Sequence, residues 1–167
     1  MGHCHAALLE DRGLLRLAGA DQRKFLQGLV TSNVDTVRDG AGIHAGLLTP
    51  QGKILFDFFV VEADGALLID IARDNAAELA KRLGFYKLRA AVEIAKAPQL
   101  AVAAVWDGSP SLPSGAISYP DPRLSELGLR VILPAGRSVS EMSCTPAREA
   151  DYHAHRISLG VPEGGRD

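Results

Sequence analysis

Residues 47–62, LLTPQGKILFDFFVVE, limit what this chain can fold into more than any other stretch. They read as two strands joined by a tight turn. Pro50 presets the φ of the first inner position, and Gly52 takes the positive φ of a bulge that closes a three-residue hairpin. With a period of two, Ile54, Phe56, Phe58 and Val60 face one way and Leu55, Asp57, Phe59 and Val61 the other. Both faces are apolar, so the rest of the protein must cover both. Asp57 is the exception in that run. An ionised carboxylate there needs hydrogen-bond or charge partners, or its pKa rises. It is the first candidate for chemistry, beside the plainer alternative of an acid satisfied by backbone N–H groups at a strand edge.

A chain of 167 residues suffices for one full domain with part of a second. No apolar run approaches the ~20 residues needed to cross a bilayer, so no membrane association is expected. The opening MGHCHAALLEDRG lacks a basic segment followed by an apolar one, and a cytoplasmic location is the expectation that follows. A net charge of −2 argues against direct nucleic-acid binding, which normally shows a basic face. The one modest concentration of cations is Lys81, Arg82, Lys87 and Arg89. Cys4 and Cys144 lie far apart and form no metal-ligand pattern. Cys4 between His3 and His5 invites a metal reading, but ligands so close in sequence converge poorly, and a disordered N-terminal end is expected with no metal site.

Taken in order, residues 14–17 read as a strand and residues 20–30 as a helix. Phe25, Leu26, Leu29 and Val30 form its apolar face, and Asp21 stands at its entry. Thr31, Ser32 and Asn33 read as a polar loop. Residues 43–49, 54–62 and 66–71 form an antiparallel meander, with His44 on the opposite face from Ile43, Ala45 and Leu47 and without an assigned role. Residues 74–83 are the clearest helix, striped by Ala76, Leu79, Ala80 and Leu83 and stopped by Gly84. FYKLRAAVEI, residues 85–94, then alternates: in an extended chain Tyr86, Leu88 and Ala90 share one side, Lys87 and Arg89 the other. Such a row suits a flat anionic ligand, or is a half-exposed strand with a solvated charged side. Residues 100–106 and 129–133 are strands, 107–122 a loop-rich segment and 134–143 a linker. Thr145-Pro146 reads as a helix start, with Tyr152, Arg156 and Leu159 along one side of the helix that follows. The order favours an α+β fold with a mainly antiparallel sheet and packed helices. It divides into residues 1–97 and a second, incomplete subdomain, residues 98–167.

Residue chemistry alone supplies no nucleophile elbow, phosphate loop, dinucleotide fingerprint or zinc spacing. The chain as a whole, however, resembles the YgfZ-like folate-binding proteins, relatives of the glycine-cleavage T-protein, an aminomethyltransferase. LAGADQRKFLQGLVTSNV (residues 17–34), LLTPQGKILFDFFVV (47–61) and FYKLRAAVEI (85–94) carry the resemblance in order and spacing. The closing RISLGVPEGGRD resembles the segment before that family's K-G-C-[YF]-x-G-Q-E signature, so the chain is expected to be truncated before it.

The resemblance implies the T-protein folate-binding fold without its later barrel-like domain, and a first subdomain, residues 1–97, that binds folate. Where the T-protein bears two neighbouring aspartates, this chain has Phe56-Asp57, and where many relatives read T-N-D-V it has Thr31-Ser32-Asn33-Val34. The implied function is binding of tetrahydrofolate or a derivative in support of iron–sulfur cluster assembly or repair, with iron–sulfur proteins as partners and an indirect effect on tRNA modification. The alternative is a folate-dependent aminomethyltransferase with Asp57 catalytic. The implied ligand contacts are Asp57 and Asn33, with Tyr86, Lys87 and Arg89 toward the ligand's aromatic and anionic parts.

Overall fold

A computed structural model describes residues 3–163. Its strands are β1 (His5–Leu8), β2 (Arg12–Ala18), β3 (Ile43–Leu48), β4 (Ile54–Ala63), β5 (Ala66–Ala72), β6 (Glu93–Lys96), β7 (Leu100–Trp106), β8 (Ile117–Pro120), β9 (Leu129–Pro134) and β10 (Thr145–Pro146). The α-helices are α1 (Gln22–Gln27), α2 (Arg73–Lys87) and α3 (Glu149–Ser158). The chain divides into two compact units, Asp11–Ala97 and residues 1–10 with 98–167. The fold is α+β, and all but one of the strand pairings are antiparallel.

In the unit Asp11–Ala97 the sheet order is β3-β4-β5-β2-β6. The hairpin forms as its residues dictate. Thr49 N–H donates to the Lys53 carbonyl at 2.7 Å, and Gly52 holds φ +87°. The next turn, Asp64-Gly65, has positive φ at both positions (+51° and +76°), the turn whose twist matches paired strands. Phe56, Phe58 and Val60 join Leu15, Leu17, Ile69, Leu26, Leu79 and Leu83 in one core, so α1 and α2 cover that face of the sheet. Phe58 and Val60 are fully buried, each stabilising the fold by about 1.5–3 kcal/mol.

Helix α1 is shorter than its apolar pattern suggests. Asp21 does not cap it through its side chain; the carboxylate accepts from Ala91 N–H at 2.8 Å and pins the segment before β6. Gly19 is required at this junction. At φ +113° a Cβ would run into the Ala91 carbonyl oxygen.

The largest departure from expectation is residues 85–94. They do not form an extended row: α2 continues through Gly84 to Lys87, and the strand begins only at Glu93. The alternation has no buried face to satisfy, because Tyr86 and Leu88 are exposed, so nothing favours a strand over continuing the helix. Leu88 ends the helix at φ +43°, ψ −110°, and Ala90 N–H donates to the Lys87 carbonyl at 2.8 Å. Leucine thus occupies the positive-φ position of a tight turn of the II′ kind, where glycine is usual, at a cost of order 1–3 kcal/mol.

In the other unit the sheet order is β10-β1-β7-β9-β8. Residues 4–8 are built into the sheet, in place of the expected disordered end. His5–Leu8 pairs with β7, so these residues group with 98–167 and not with 11–97. Cys4 is fully buried and disulfide-bonded to Cys144, 140 residues away. Thr145-Pro146 is not the helix start. Thr145 N–H donates to the Cys4 carbonyl and Ala147 N–H to that of Ala6, both at 2.8 Å, which holds this segment as a short strand parallel to β1. Helix α3 begins only at Glu149. Its Tyr152 and Arg156 are buried, as the stripe predicts.

Gly19→Ala is expected to destabilise the protein by at least about 3 kcal/mol, combining strain with a backbone collision. Gly40→Ala, at φ +79° with open space around the added Cβ, should cost only about 1–2 kcal/mol. Urea unfolding midpoints separate the two, and equal shifts would count against the Gly19–Ala91 contact.

Candidate functional site

Strand β4 places Asp57 by register. Gly46 of β3 stands opposite Asp57, and His44 opposite Phe59, so His44 is the diagonal neighbour of Asp57 on the same face. Gly46 brings no side chain to the position opposite the acid, where the Thr31 and Ile54 side chains approach instead, and His44 Nε2 donates to Asp57 Oδ2 at 3.0 Å. Both side chains are half-buried, at 33% and 30% exposure, so the pair is reachable from solvent. The Phe59 ring lies 5.1 Å from that of His44, and the Arg12 guanidinium 5.7 Å from the Phe59 centroid. Arg12 Nε in turn donates to Asp70 Oδ1 at 2.7 Å, with both groups buried.

This face of the sheet therefore carries a polar line, Asp57–His44 and Arg12–Asp70, around one aromatic ring. The His44 hydrogen bond is the main influence on Asp57. Together with the positive charges of His44 and Arg12 it holds the carboxyl below the usual carboxylate value of 3.8, against the opposing effect of partial burial. Asp57 is accordingly an ionised acceptor at neutral pH.

The loop after α1 is tied to β3 beside this pair. Thr31 N–H donates to the Gly46 carbonyl, Gly46 N–H donates to Thr31 Oγ1 at 2.9 Å, and Ser32 Oγ donates to the His44 carbonyl at 2.7 Å. Gln27 clamps the same loop, accepting from Val34 N–H at 2.6 Å and donating to the Ser32 carbonyl at 3.1 Å. The polar triplet is thus an extra margin of the sheet at the Asp57 face. The Asn33 side chain is engaged locally, where its Oδ1 accepts from Asp35 N–H and caps a single helical turn, Val34–Thr36.

The structure does not gather the remaining expected contacts around Asp57. Tyr86 and Lys87 end α2, which packs on the Phe58 face of the sheet, and Arg89 follows in the turn; Asp57 is on the other face. Phe56 lies in the helix-covered core, so of the two neighbouring positions only 57 can present an acid to the polar face. His44 has no role assigned by sequence. The three-residue loop with a strict period of two would set residue 44 opposite 58. It is the register shift at Leu47/Leu48, a β-bulge that opposes Leu47 to Phe56 but Leu48 to Ile54, that puts residues 44 and 57 on one face, and no single residue signals it.

The depressed pKa of Asp57 means that its contribution to stability is present above about pH 3.8 and is lost as pH falls through the lower folded-state value. In His44→Ala the hydrogen bond and the charge disappear while partial burial remains. Partial burial is then opposed only by Arg12 and a backbone hydrogen bond, so the Asp57 carboxyl should titrate at a higher pH than in the wild type. Carbon-detected NMR of the side-chain carboxyl measures both, and an unchanged pKa would show that His44 does not hold the acid.

No family model matches the chain. Among curated proteins it is 31% identical to "Iron-sulfur cluster assembly factor IBA57 homolog, mitochondrial" of Neurospora crassa, over 93% of this chain and 40% of that protein. It is likewise 31% identical to the Homo sapiens factor of the same kind, over 95% of this chain and 51% of that protein. The chain thus spans about half the length of these curated relatives, or less. The expected cytoplasmic location is overturned by these names, which call the relatives mitochondrial. Among solved structures, the glycine cleavage system aminomethyltransferase T from Bartonella henselae superposes with a TM-score of 0.76 at 13% identity, covering 96% of this chain and 52% of that one. That likeness establishes the fold. Sequence similarity along nearly its whole length and the T-protein fold place this chain in the YgfZ-like family related to the glycine-cleavage T-protein.

Proposed function

We propose that this chain is the folate-binding part of an iron–sulfur cluster assembly factor, with tetrahydrofolate or a derivative lying against the His44–Asp57 face. The names of the relatives support the assembly role, and the T-protein fold supports the ligand class. The observation that carries the reading is the reachable, ionised Asp57, held in place by His44. A pterin edge carries several N–H donors, and a fixed carboxylate is the acceptor they need. His44 occupies one carboxylate oxygen and sets the other's direction, and the buried Phe59 ring packs against the His44 ring from within. Iron–sulfur proteins are then the partners, and any effect on tRNA modification is indirect, through enzymes that carry such clusters.

The alternative, an aminomethyltransferase with Asp57 as a proton-transfer group, fits the geometry less well. A general base works best with a pKa near the working pH, and Asp57 is displaced in the opposite direction. Asp57 is better suited to holding a donor edge than to accepting its proton.

Calorimetric titration with tetrahydrofolate under anaerobic conditions tests the reading. Asp57→Asn should weaken binding about 10–100-fold, the equivalent of one charge-assisted hydrogen bond of about 1.5–3 kcal/mol. Lys87→Ala and Arg89→Ala should leave it within about twofold. Absence of binding both in this chain and in a protein of the relatives' full length, or unaltered binding by Asp57→Asn, would overturn it.

A further inference from the structure

The end of α2 is the least explained surface of the unit Asp11–Ala97. Phe85 is 68% exposed, Tyr86 47% and Leu88 88%. Phe85 lies four residues after the exposed Lys81 on one side of the helix, and Leu88 stands in the turn that ends it. Exposed Arg89 and partly exposed Lys87 flank them. This is the single concentration of cations in a chain of net charge −2. The backbone adds a second, independent sign. Leu88 takes a positive φ at the glycine position of its turn, and its side chain gains no burial there. Neither packing nor backbone preference accounts for leucine at 88. Strain retained without a structural return is a mark of a functional position.

We propose that Phe85, Leu88 and the flanking cations Lys81, Lys87 and Arg89 form a docking surface for an acidic protein segment bearing an apolar anchor. The charge of the surface selects an acidic partner, and Phe85 and Leu88 supply the desolvated centre that interfaces need. A second copy of this chain is disfavoured, because a two-fold contact sets the same cations against one another. A bilayer is disfavoured as well. The apolar stripe of α2, Ala76, Leu79 and Leu83, is turned into the core, and its outer side carries Asp74 and Glu78 beside the cations.

The test is selection of a random twelve-residue peptide library on the purified chain, counter-selected on a Phe85→Ser/Leu88→Gly/Arg89→Glu variant. Enrichment of peptides combining several Asp or Glu with an aromatic or aliphatic anchor is expected. The best such peptide should bind Leu88→Gly and Arg89→Glu at least tenfold more weakly, and wild type more weakly as salt rises. Leu88→Gly relieves the strained turn, so its melting temperature should rise while its peptide binding falls, which separates recognition from folding. No enrichment, enrichment of basic or neutral peptides, or equal binding by Leu88→Gly would overturn the proposal. So would stronger association with phosphatidylcholine–cardiolipin vesicles than with the peptide, or self-association through this patch in sedimentation velocity.

Discussion

Strand β4 is apolar on both faces, and the organisation of the unit Asp11–Ala97 follows from satisfying both. One face, Phe56, Phe58 and Val60, takes α1 and α2 and becomes the core. The other, Phe59 and Val61, is also buried, so any polar group on it must be partnered or sit at the margin. Arg12 and Asp70 take the first course and pair at 2.7 Å where neither reaches solvent. Asp57 and His44 take the second, staying half-exposed near the hairpin end of the strand. The site is therefore the part of the second face that the core requirement leaves over, and its chemistry is set by which residues the register aligns there.

In the other unit, buried charge has the corresponding role. Arg130 and Arg156 are among its most buried side chains, and Arg123 and Asp121 are nearly as deep. Ions in such places destabilise a fold unless their hydrogen bonds are met. Arg123 forks onto Asp121 at 2.8 and 3.1 Å, and the Tyr152 hydroxyl accepts from Arg123 at 3.0 Å and Arg130 at 3.4 Å. Arg156 donates to His153 Nδ1 at 3.0 Å and to the Val161 carbonyl at 2.9 Å. Helix α3 is thus fastened by directional contacts more than by an apolar stripe. The disulfide from Cys4 to Cys144 ties the residue before β1 to the residue before β10.

Much of this was legible because local chemistry and burial agree. Pro50-Gln51-Gly52 and Asp64-Gly65 set two turns, and between them period-two alternation fixes which side of β4 Asp57 takes. What was not legible depends on contacts distant in sequence. Nothing near Cys4 shows that it meets a cysteine 140 residues on, and nothing near Thr145 shows that β1 holds it extended. The YKLR segment misleads for a different reason. Its alternation is real, but with no covered face it carries no structural preference, and α2 runs into it. Asn33 lies in the right loop, but its side chain is occupied in capping a turn. The loop's link to β3 rests instead on its neighbours Thr31 and Ser32.

The central claim is that folate lies on the β4 face that carries Asp57 and His44. Photo-crosslinking with an azide-bearing folate, followed by peptide mapping, tests it most directly. Label on peptides from β3 and β4 that contain His44 or Asp57, competed by unlabelled tetrahydrofolate, is the expected result. Competed label confined to residues 85–89 or to residues 98–163 would contradict it.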